Sequence, residues 1–338
     1  MQTTTPTGVS PAGRNIVIAY AYEKTQREDV KACATCCRLL YKELASMGFK
    51  TRRMKVSDRN LTRPHELRKR LSRDNPLCIF NLFEGFSYNT KTESVFSRIL
   101  ESAKIPFTGN STSALELCLD KQAVKERLAL HGVKVPAGVL AKSPEDVENA
   151  GLRLPAFIKP CYEDASVGIG KDSLVSTREE LLATVRNRLA AFPSGVIAEE
   201  FIPGVEYTVG LIGTPPYEVI GISSLQYNPA AGNELRFLHY ESKWDTESES
   251  FRMLMPQVRP LPPEIKAELE DIAIRAGKAV GCNGYFRVDV RERNGEYYVL
   301  DINPNPDINS DSGFIKQARK SGYTYGQVLT KIIAAATC

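Results

Sequence analysis

The chain has 338 residues, 42% of them hydrophobic and 25% charged, with a net charge of +4. That length exceeds one small core and calls for two or three packed subdomains. So small a charge gives no electrostatic basis for binding nucleic acid or a membrane surface, and no apolar run approaches the ~20 residues of a spanning helix.

Residues 1–14 are polar, with no apolar signal core behind them, and read as a disordered tail on a cytoplasmic protein. The β-branched run from Asn15 to Ala21 predicts a strand, and a helix follows over 30–47. Within that helix Val30, Cys33, Cys37, Leu40, Leu44 and Met47 recur at helical spacing, which makes the thiols part of an apolar face. Cys33 and Cys36 lack the second CxxC or HxxxH that a zinc site requires, and the remaining cysteines are scattered rather than framed for disulfides. Reduced thiols fit the cytoplasm. Strands at 77–82 and 105–108 flank a helix at 93–103, so residues 15–112 read as an N-terminal parallel α/β domain built from βαβ units.

From Ser113 a helix is expected to run to about His131, ending at Gly132. Strands follow near 136–140 and 154–159, and Thr177 opens a helix with Glu180 as its capping partner. Residues 196–201 and 206–212 read as adjacent strands parted by the Pro203-Gly204 turn. The last third predicts a helix over 263–280, then strands at 285–292 and 296–302 joined by Asn294-Gly295, a hairpin turn sequence, and a helical tail. These shifts divide the remainder into a central subdomain, 113–208, and a C-terminal one, 209–338.

Two stretches carry chemistry. In the hairpin, alternation places Arg287 and Asp289 on one strand face and Asp301 and Asn303 on one face of its partner. Two carboxylates and an amide oxygen, without His or Cys, suit Mg²⁺. A solvated Arg–Asp hairpin face is the plainer alternative, but the rigid exit Asn303-Pro304-Asn305-Pro306 leaves directly after the ligands. In the second stretch, Lys159 ends an apolar strand and is followed by the small-residue loop Ala165-Ser166-Val167-Gly168. A lysine with such a loop can hold phosphate oxygens, although the loop is not a Walker A sequence.

Together with Lys121 after Asp120, the run Glu199-Glu200-Phe201-Ile202 before Glu206, and Lys243-Trp244, the order of these motifs resembles the D-alanine–D-alanine ligase group of the ATP-grasp superfamily. The resemblance runs from about Ile16 to the C-terminus and is strongest from Ile105 to Ser312. It implies an α/β ATP-grasp fold, with an N-terminal parallel α/β domain followed by two α+β ATP-grasp subdomains. The implied activity is an ATP- and Mg²⁺-dependent ligase that activates a carboxylate as an acyl phosphate and passes it to an amine. By the same resemblance Lys121, Lys159 and the Ser166-Val167-Gly168 loop contact the nucleotide phosphates and Lys243 the terminal one. Glu199, Glu200, Phe201 and Ile202 form the hinge beside adenine, and Glu206 binds the ribose. Asp289, Asp301 and Asn303 hold Mg²⁺, with Asp301 where the group usually carries glutamate, and Arg287 stabilises the tetrahedral oxyanion.

The substrate half departs from the group. Ala165 and Trp244 stand where a serine and a tyrosine usually orient the first alanine, and Asp307 replaces a glycine. The expectation is therefore an amino acid or peptide other than D-alanine, met by Glu84, Trp244, Asp307 and Ser312. Alternatives are a D-alanine–D-alanine or D-alanine–D-lactate ligase, and, of another class, a nucleotide-binding regulatory protein without catalysis. A homodimer through the N-terminal domain is typical of the resembling group.

Overall fold

The computed structural model describes residues 13–23, 28–164, 166–225, 237 and 256–337; the side chains at 28–30 and 32 are also outside the described set. Strand β1 (Asn15–Ala21) is flanked on both sides by parallel neighbours, β2 (Lys50–Val56) and β3 (Cys78–Leu82), in the order β2-β1-β3. Helix α1 (Glu28–Ser46) makes the first crossover, and α2 (Asp58–Leu61) with α3 (Pro64–Leu71) makes the second. A parallel sheet must be covered on both faces, and β1 supplies apolar residues to each. Val17 and Ala19 pack with Leu67, Leu71 and, from α4 (Thr92–Ser102), Phe96 and Leu100. Ile16 and Ile18 pack with Cys37, Leu40 and Leu44 of α1. The thiol face read from the sequence is thus part of the core, with Cys36 buried beside it; the Val30 side chain lies outside the described residues. Residues 105–108 contribute only a single bridge, Ile79 to Phe107, instead of a strand.

The helix expected over 113–131 is two helices, α5 (Thr112–Leu119) and α6 (Lys121–Leu130), broken at Asp120. Asp120 ends the first and caps the second, its Oδ1 accepting the Ala123 N–H at 3.0 Å. An antiparallel sheet follows, in the order β4-β7-β5-β6: β4 (Gly138–Ala141), β5 (Ala156–Pro160), β6 (Leu174–Val175) and β7 (Val196–Glu200). One face packs on α7 (Pro144–Asn149) and α8 (Arg178–Ala191), and Thr177 caps α8 with Glu180 completing the capping box.

The next strand, β8 (Glu206–Ile212), does not pair with β7. It joins β9 (Glu218–Leu225), β10 (Tyr285–Arg293) and β11 (Glu296–Asn303) in a second antiparallel sheet, β11-β10-β8-β9. Pro203-Gly204 is therefore a passage between sheets, not a hairpin turn, and β8 runs through the 208/209 boundary drawn from the sequence. The Asn294-Gly295 turn does join β10 to β11, with φ of 55° and 79°, the left-handed pair a two-residue hairpin needs. Helix α9 (Pro263–Val280) lays Leu269, Ile272, Ala273 and Ala276 on this sheet.

The last two helices, α10 (Gly313–Lys320) and α11 (Tyr325–Thr337), return to the start of the chain. Phe314, Ile315, Val328, Leu329, Ile332 and Ile333 enter the same core as Ile16, Ile18 and Phe80. Asn110, fully buried, fastens the lobes at a second place. Its Nδ2 donates to the carbonyls of Tyr285, at 2.9 Å, and Pro304, while its Oδ1 accepts the Asn283 N–H at 2.7 Å. Asn110→Ala strands those three backbone groups. The expected loss is roughly 2–4 kcal/mol of stability, read as a lower urea midpoint by circular dichroism; an unchanged midpoint would show that the lobes do not depend on it.

Candidate active site

The two antiparallel sheets meet through side chains, Lys159 of β5 reaching the Leu300 carbonyl of β11 and Arg293 of β10 reaching Glu200 of β7, and the region between these contacts is the slot considered below. The hairpin register sets Arg287 opposite Asn303 and Asp289 opposite Asp301, so all four side chains leave one face. A β-bulge maintains this: pairing steps from Asp289–Asp301 to Val290–Val299, leaving Leu300 as the extra residue. Val299 consequently turns into the core with Val288 and Val290, although it is only two residues from Asp301. On the other side Asp289 faces Thr208, whose hydroxyl donates to its Oδ1 at 2.9 Å. Buried Gln317 donates to the Thr208 carbonyl at 3.0 Å and to Ser223 Oγ at 2.7 Å, fixing that strand from behind. Arg287 reaches Asp289 at 3.4 Å, and Asn303 Oδ1 accepts the Asn305 N–H at 3.1 Å.

This donor set fits Mg²⁺. Among the described residues no three His, Cys, Asp or Glu side chains converge as a complete cage. Mg²⁺ is ordinarily held by one or two carboxylates, with phosphates and water completing the octahedron. Asp289 and Asp301, with the Asn303 amide oxygen, are the candidates to supply that share.

Across the slot stand the lysines. Lys121, at the first turn of α6, directs its ammonium to the Glu163 carbonyl and lies 3.7 Å from Asp164. Burial opposes its charge, but Asp301 and Asp164 outweigh that and hold its pKa above the usual lysine value. Asp301 acts on it from the hairpin face, which ties the two halves of the site together. Lys159 donates to the Leu300 carbonyl at 3.1 Å, the residue set apart by the bulge, and pairs with Glu199 at 2.8 Å. The loop after Lys159 has Ser166 and Gly168 at φ of 64° and 72°. A Cβ on Gly168 would lie 2.5 Å from Pro160 Cγ and 2.7 Å from Phe192 Cζ, so only glycine fits there. The Val167 N–H is already used within the loop, by the Asp164 carbonyl at 2.9 Å.

Leu174, Phe201 and Phe237 form a buried apolar cluster, with Phe157 and Ile169 packed against it. Phe237 meets Phe157 edge-on with centroids 4.9 Å apart. Phe201 belongs to the hinge expected beside adenine, yet the hinge residues divide their roles. Glu199 turns its carboxylate to Lys125 and Lys159, and Glu200 is bound by Arg293 at 2.7 Å. The N–H groups of Glu200 and Phe201 are taken by the carbonyls of Ala137 and Pro155, and the Ile202 carbonyl accepts from Arg291 at 2.9 Å. Of the four, Phe201 contributes its ring to the slot. Glu206 lies 3.1 Å from the buried Arg291, whose guanidinium stacks 4.7 Å above Phe201.

The substrate side is less complete. Lys243 and Trp244 lie outside the described residues, as does Ala165. Glu84, beyond the end of β3, and Asp307, beyond β11, both act electrostatically on Cys36 and Tyr285, so they flank one region. Burial lifts the Asp307 carboxyl above its usual range, against the Asn309 N–H and the Arg287 guanidinium. Nearby, Lys91 sits 6.0 Å over the Tyr162 ring. Ser312 caps α10, its Oγ accepting the Ile315 N–H at 3.3 Å. Sequence reasoning missed Glu93, which accepts from Asn305 Nδ2 at 2.7 Å and whose pKa burial raises to about 7. It also missed Lys125, four residues after Lys121 and so on the same helix face, a spacing that offered a signal.

Residues 138–334 match the family model described as D-ala D-ala ligase C-terminus. The D-alanine–D-alanine ligase of Syntrophotalea carbinolica is 30% identical over 239 residues, 71% of this chain and 73% of the relative. That of Cupriavidus metallidurans is 32% identical over 246 residues, 71% and 70% of the two chains. Among solved structures, the D-alanine–D-alanine ligase of Bacillus anthracis shares the fold at a TM-score of 0.76 and 20% identity, covering 96% of this chain and 97% of that one. The VanG D-Ala:D-Ser ligase of Enterococcus faecalis does so at 0.72 and 19%, covering 96% and 99%.

If the hairpin face holds a divalent ion, Asp289→Asn and Asp301→Asn each weaken Mn²⁺ binding in the presence of ATP by at least about tenfold, with the melting temperature retained. Electron paramagnetic resonance of free Mn²⁺ measures this. Equal affinity in either variant would remove that residue from the ligand set.

Proposed function

The chain belongs to the D-alanine–D-alanine ligase family of ATP-grasp enzymes, and we propose that it joins the carboxylate of D-alanine to the amine of a second small amino acid. As a member it is an ATP-dependent, ADP-forming carbon–nitrogen ligase. The observation that carries the site reading is the hairpin register, which aligns Arg287, Asp289, Asp301 and Asn303 on one face with Lys121 under the influence of Asp301.

The chemistry follows from charge. A carboxylate must approach a polyphosphate that repels it, so catalysis rests on positioning and neutralisation rather than on a protein nucleophile. Lys121 and Lys159 hold phosphate oxygens, and Lys243 is assigned the terminal one by family resemblance. Mg²⁺, when bound by Asp289, Asp301 and Asn303, supplies further neutralisation of the phosphates. The substrate carboxylate oxygen attacks the γ-phosphorus, the bond to the β–γ bridging oxygen breaks, and ADP leaves an acyl phosphate. The neutral amine then attacks the acyl carbon, Arg287 stabilises the oxyanion, and phosphate departs with the C–O electron pair and takes up the proton that the attacking nitrogen sheds. The Phe157–Phe201–Phe237 cluster takes the adenine and Glu206 the ribose. A homodimer and a cytoplasmic location belong to the same proposal; among the described residues no helix is long and apolar enough to cross a membrane.

D-alanine displaces the sequence-based preference for another donor because the relatives' names support it more directly than Ala165 and Trp244 speak against it. A second reading concerns the acceptor. Asp307, near Arg287 and Glu84, places a carboxylate where the group has glycine, which favours an acceptor with an additional amine or guanidinium. ADP release on D-alanine alone, and with D-serine, D-lactate or a diamino acid added, followed by product mass, tests both. The expected product with D-alanine alone is the dipeptide. No ADP release with D-alanine in any combination would end the donor assignment, and an acceptor profile unchanged by Asp307→Gly would end the second reading.

Arg287→Met separates the oxyanion role from nucleotide binding. Its kcat is expected to fall by about 10²–10³, corresponding to about 3–4 kcal/mol, while ATP affinity stays near that of the wild type. Collapse of ATP affinity with kcat preserved would move Arg287 to the phosphate site.

A further inference from the structure

Lys125, Glu199 and Lys159 form a nearly dry ion triad at the inner wall of the slot, 9%, 3% and 6% exposed. Glu199 gives one oxygen to each cation: Oε1 to Lys159 at 2.8 Å and Oε2 to Lys125 at 2.5 Å. The arrangement follows from two registers. Strand pairing sets Phe157 opposite Glu199 and Lys159 opposite Ile197, so Lys159 and Glu199 share the slot face of the sheet. Lys125 comes from above, one turn after Lys121 on α6. Glu200, the next carboxylate along β7, is taken by Arg293 and does not compete.

A carboxylate at this depth between only one cation and apolar walls would hold that cation tightly, because separating them leaves a buried charge uncompensated. Lys159 is such a cation, and it presupposes the nucleotide reading proposed for this site that it must turn to phosphate oxygens. We propose that Lys125 is a positioning residue for nucleotide binding: it keeps Glu199 neutralised and in place when Lys159 leaves it for the phosphates. Lys125 thereby makes Lys159 transferable. Burial holds the Lys125 pKa below the usual lysine value against the attraction of Glu199, with Lys159 repelling it as well, and Glu199 is kept below the usual carboxylate range by the two ammoniums in spite of burial. Departure of Lys159 relieves that repulsion while the Lys125–Glu199 pair remains.

The test is titration calorimetry of MgATP and steady-state ADP release on the full chain, for Lys125→Met, Lys125→Arg, Glu199→Gln and the Lys125→Met/Glu199→Gln double variant. Lys125→Met is expected to weaken ATP binding and raise KM for ATP about tenfold, with kcat within about twofold of wild type. Lys125→Arg, which keeps the cation, restores both. In the Glu199→Gln background no carboxylate remains to trap Lys159, and Lys125→Met has no further effect. Wild-type ATP affinity in Lys125→Met, or an equal loss with and without Glu199, overturns the inference. Should Lys125→Met fail to fold, Lys125→Gln compared in the two backgrounds gives the same decision. Failure of the wild type itself to bind MgATP overturns the nucleotide reading along with it, which keeps the two failures distinct.

Discussion

The site depends on one irregularity in strand pairing, the bulge at Leu300. Without it, strict alternation would send Val299, Asp301 and Asn303 to the same face, and either a valine would enter the polar site or two polar side chains would enter the core. With it, Val299 completes the apolar layer over α9 while Asp301 stands opposite Asp289. The residue left unpaired is not wasted: the Leu300 carbonyl receives Lys159 from the facing sheet. One extra residue therefore sets the alignment of the polar face and joins the two sheets across the slot.

Around that hairpin the charges are arranged in layers. Asp289 is braced by Thr208, and Thr208 by Gln317, so the side chain that faces the slot rests on a buried amide. Glu206 and Glu200 are each met by an arginine of β10, Arg291 and Arg293. These pairs exclude a simple picture in which every acidic residue near the slot waits for ligand. Several are anchors for the walls, and those walls hold the lysines at a fixed separation from the carboxylates.

Much of this is legible in the sequence where the signal is local. Asn294-Gly295 specifies the hairpin, period-two alternation groups Arg287 with Asp289, and Thr177 with Glu180 marks a helix start. What is not legible depends on pairing between distant segments. Pro203-Gly204 looks like a turn between neighbouring strands, yet β7 and β8 enter different sheets, because β7 pairs back onto β4 and β5 while β8 pairs forward onto β9 and β10. Asp120 reads as an ordinary helix residue, but as a cap it divides α5 from α6 and aims Lys121. Lys125 carries a usable signal in its spacing from Lys121; nothing local reveals that its partner is Glu199, 74 residues away. Glu93 is hidden for the same reason, since its contact with Asn305 spans 212 positions. Lys243 and Trp244 belong to the sequence resemblance alone.

The return of α10 and α11 onto the first sheet bears on how the protein is made. Ile16, Ile18 and Phe80 are synthesised before one of their covering layers, Val328 to Ile333, which follows the whole of the site in sequence. The parallel sheet must therefore wait, one face covered by α1 alone, while the slot, the hairpin and the long helix α9 are assembled. Exposed apolar strands of this kind are the ones that associate wrongly while ribosomes are still at work. Closing the sheet after the site makes the molecule cooperative in a temporal sense: the N-terminal lobe is completed by helices that follow the C-terminal one in sequence.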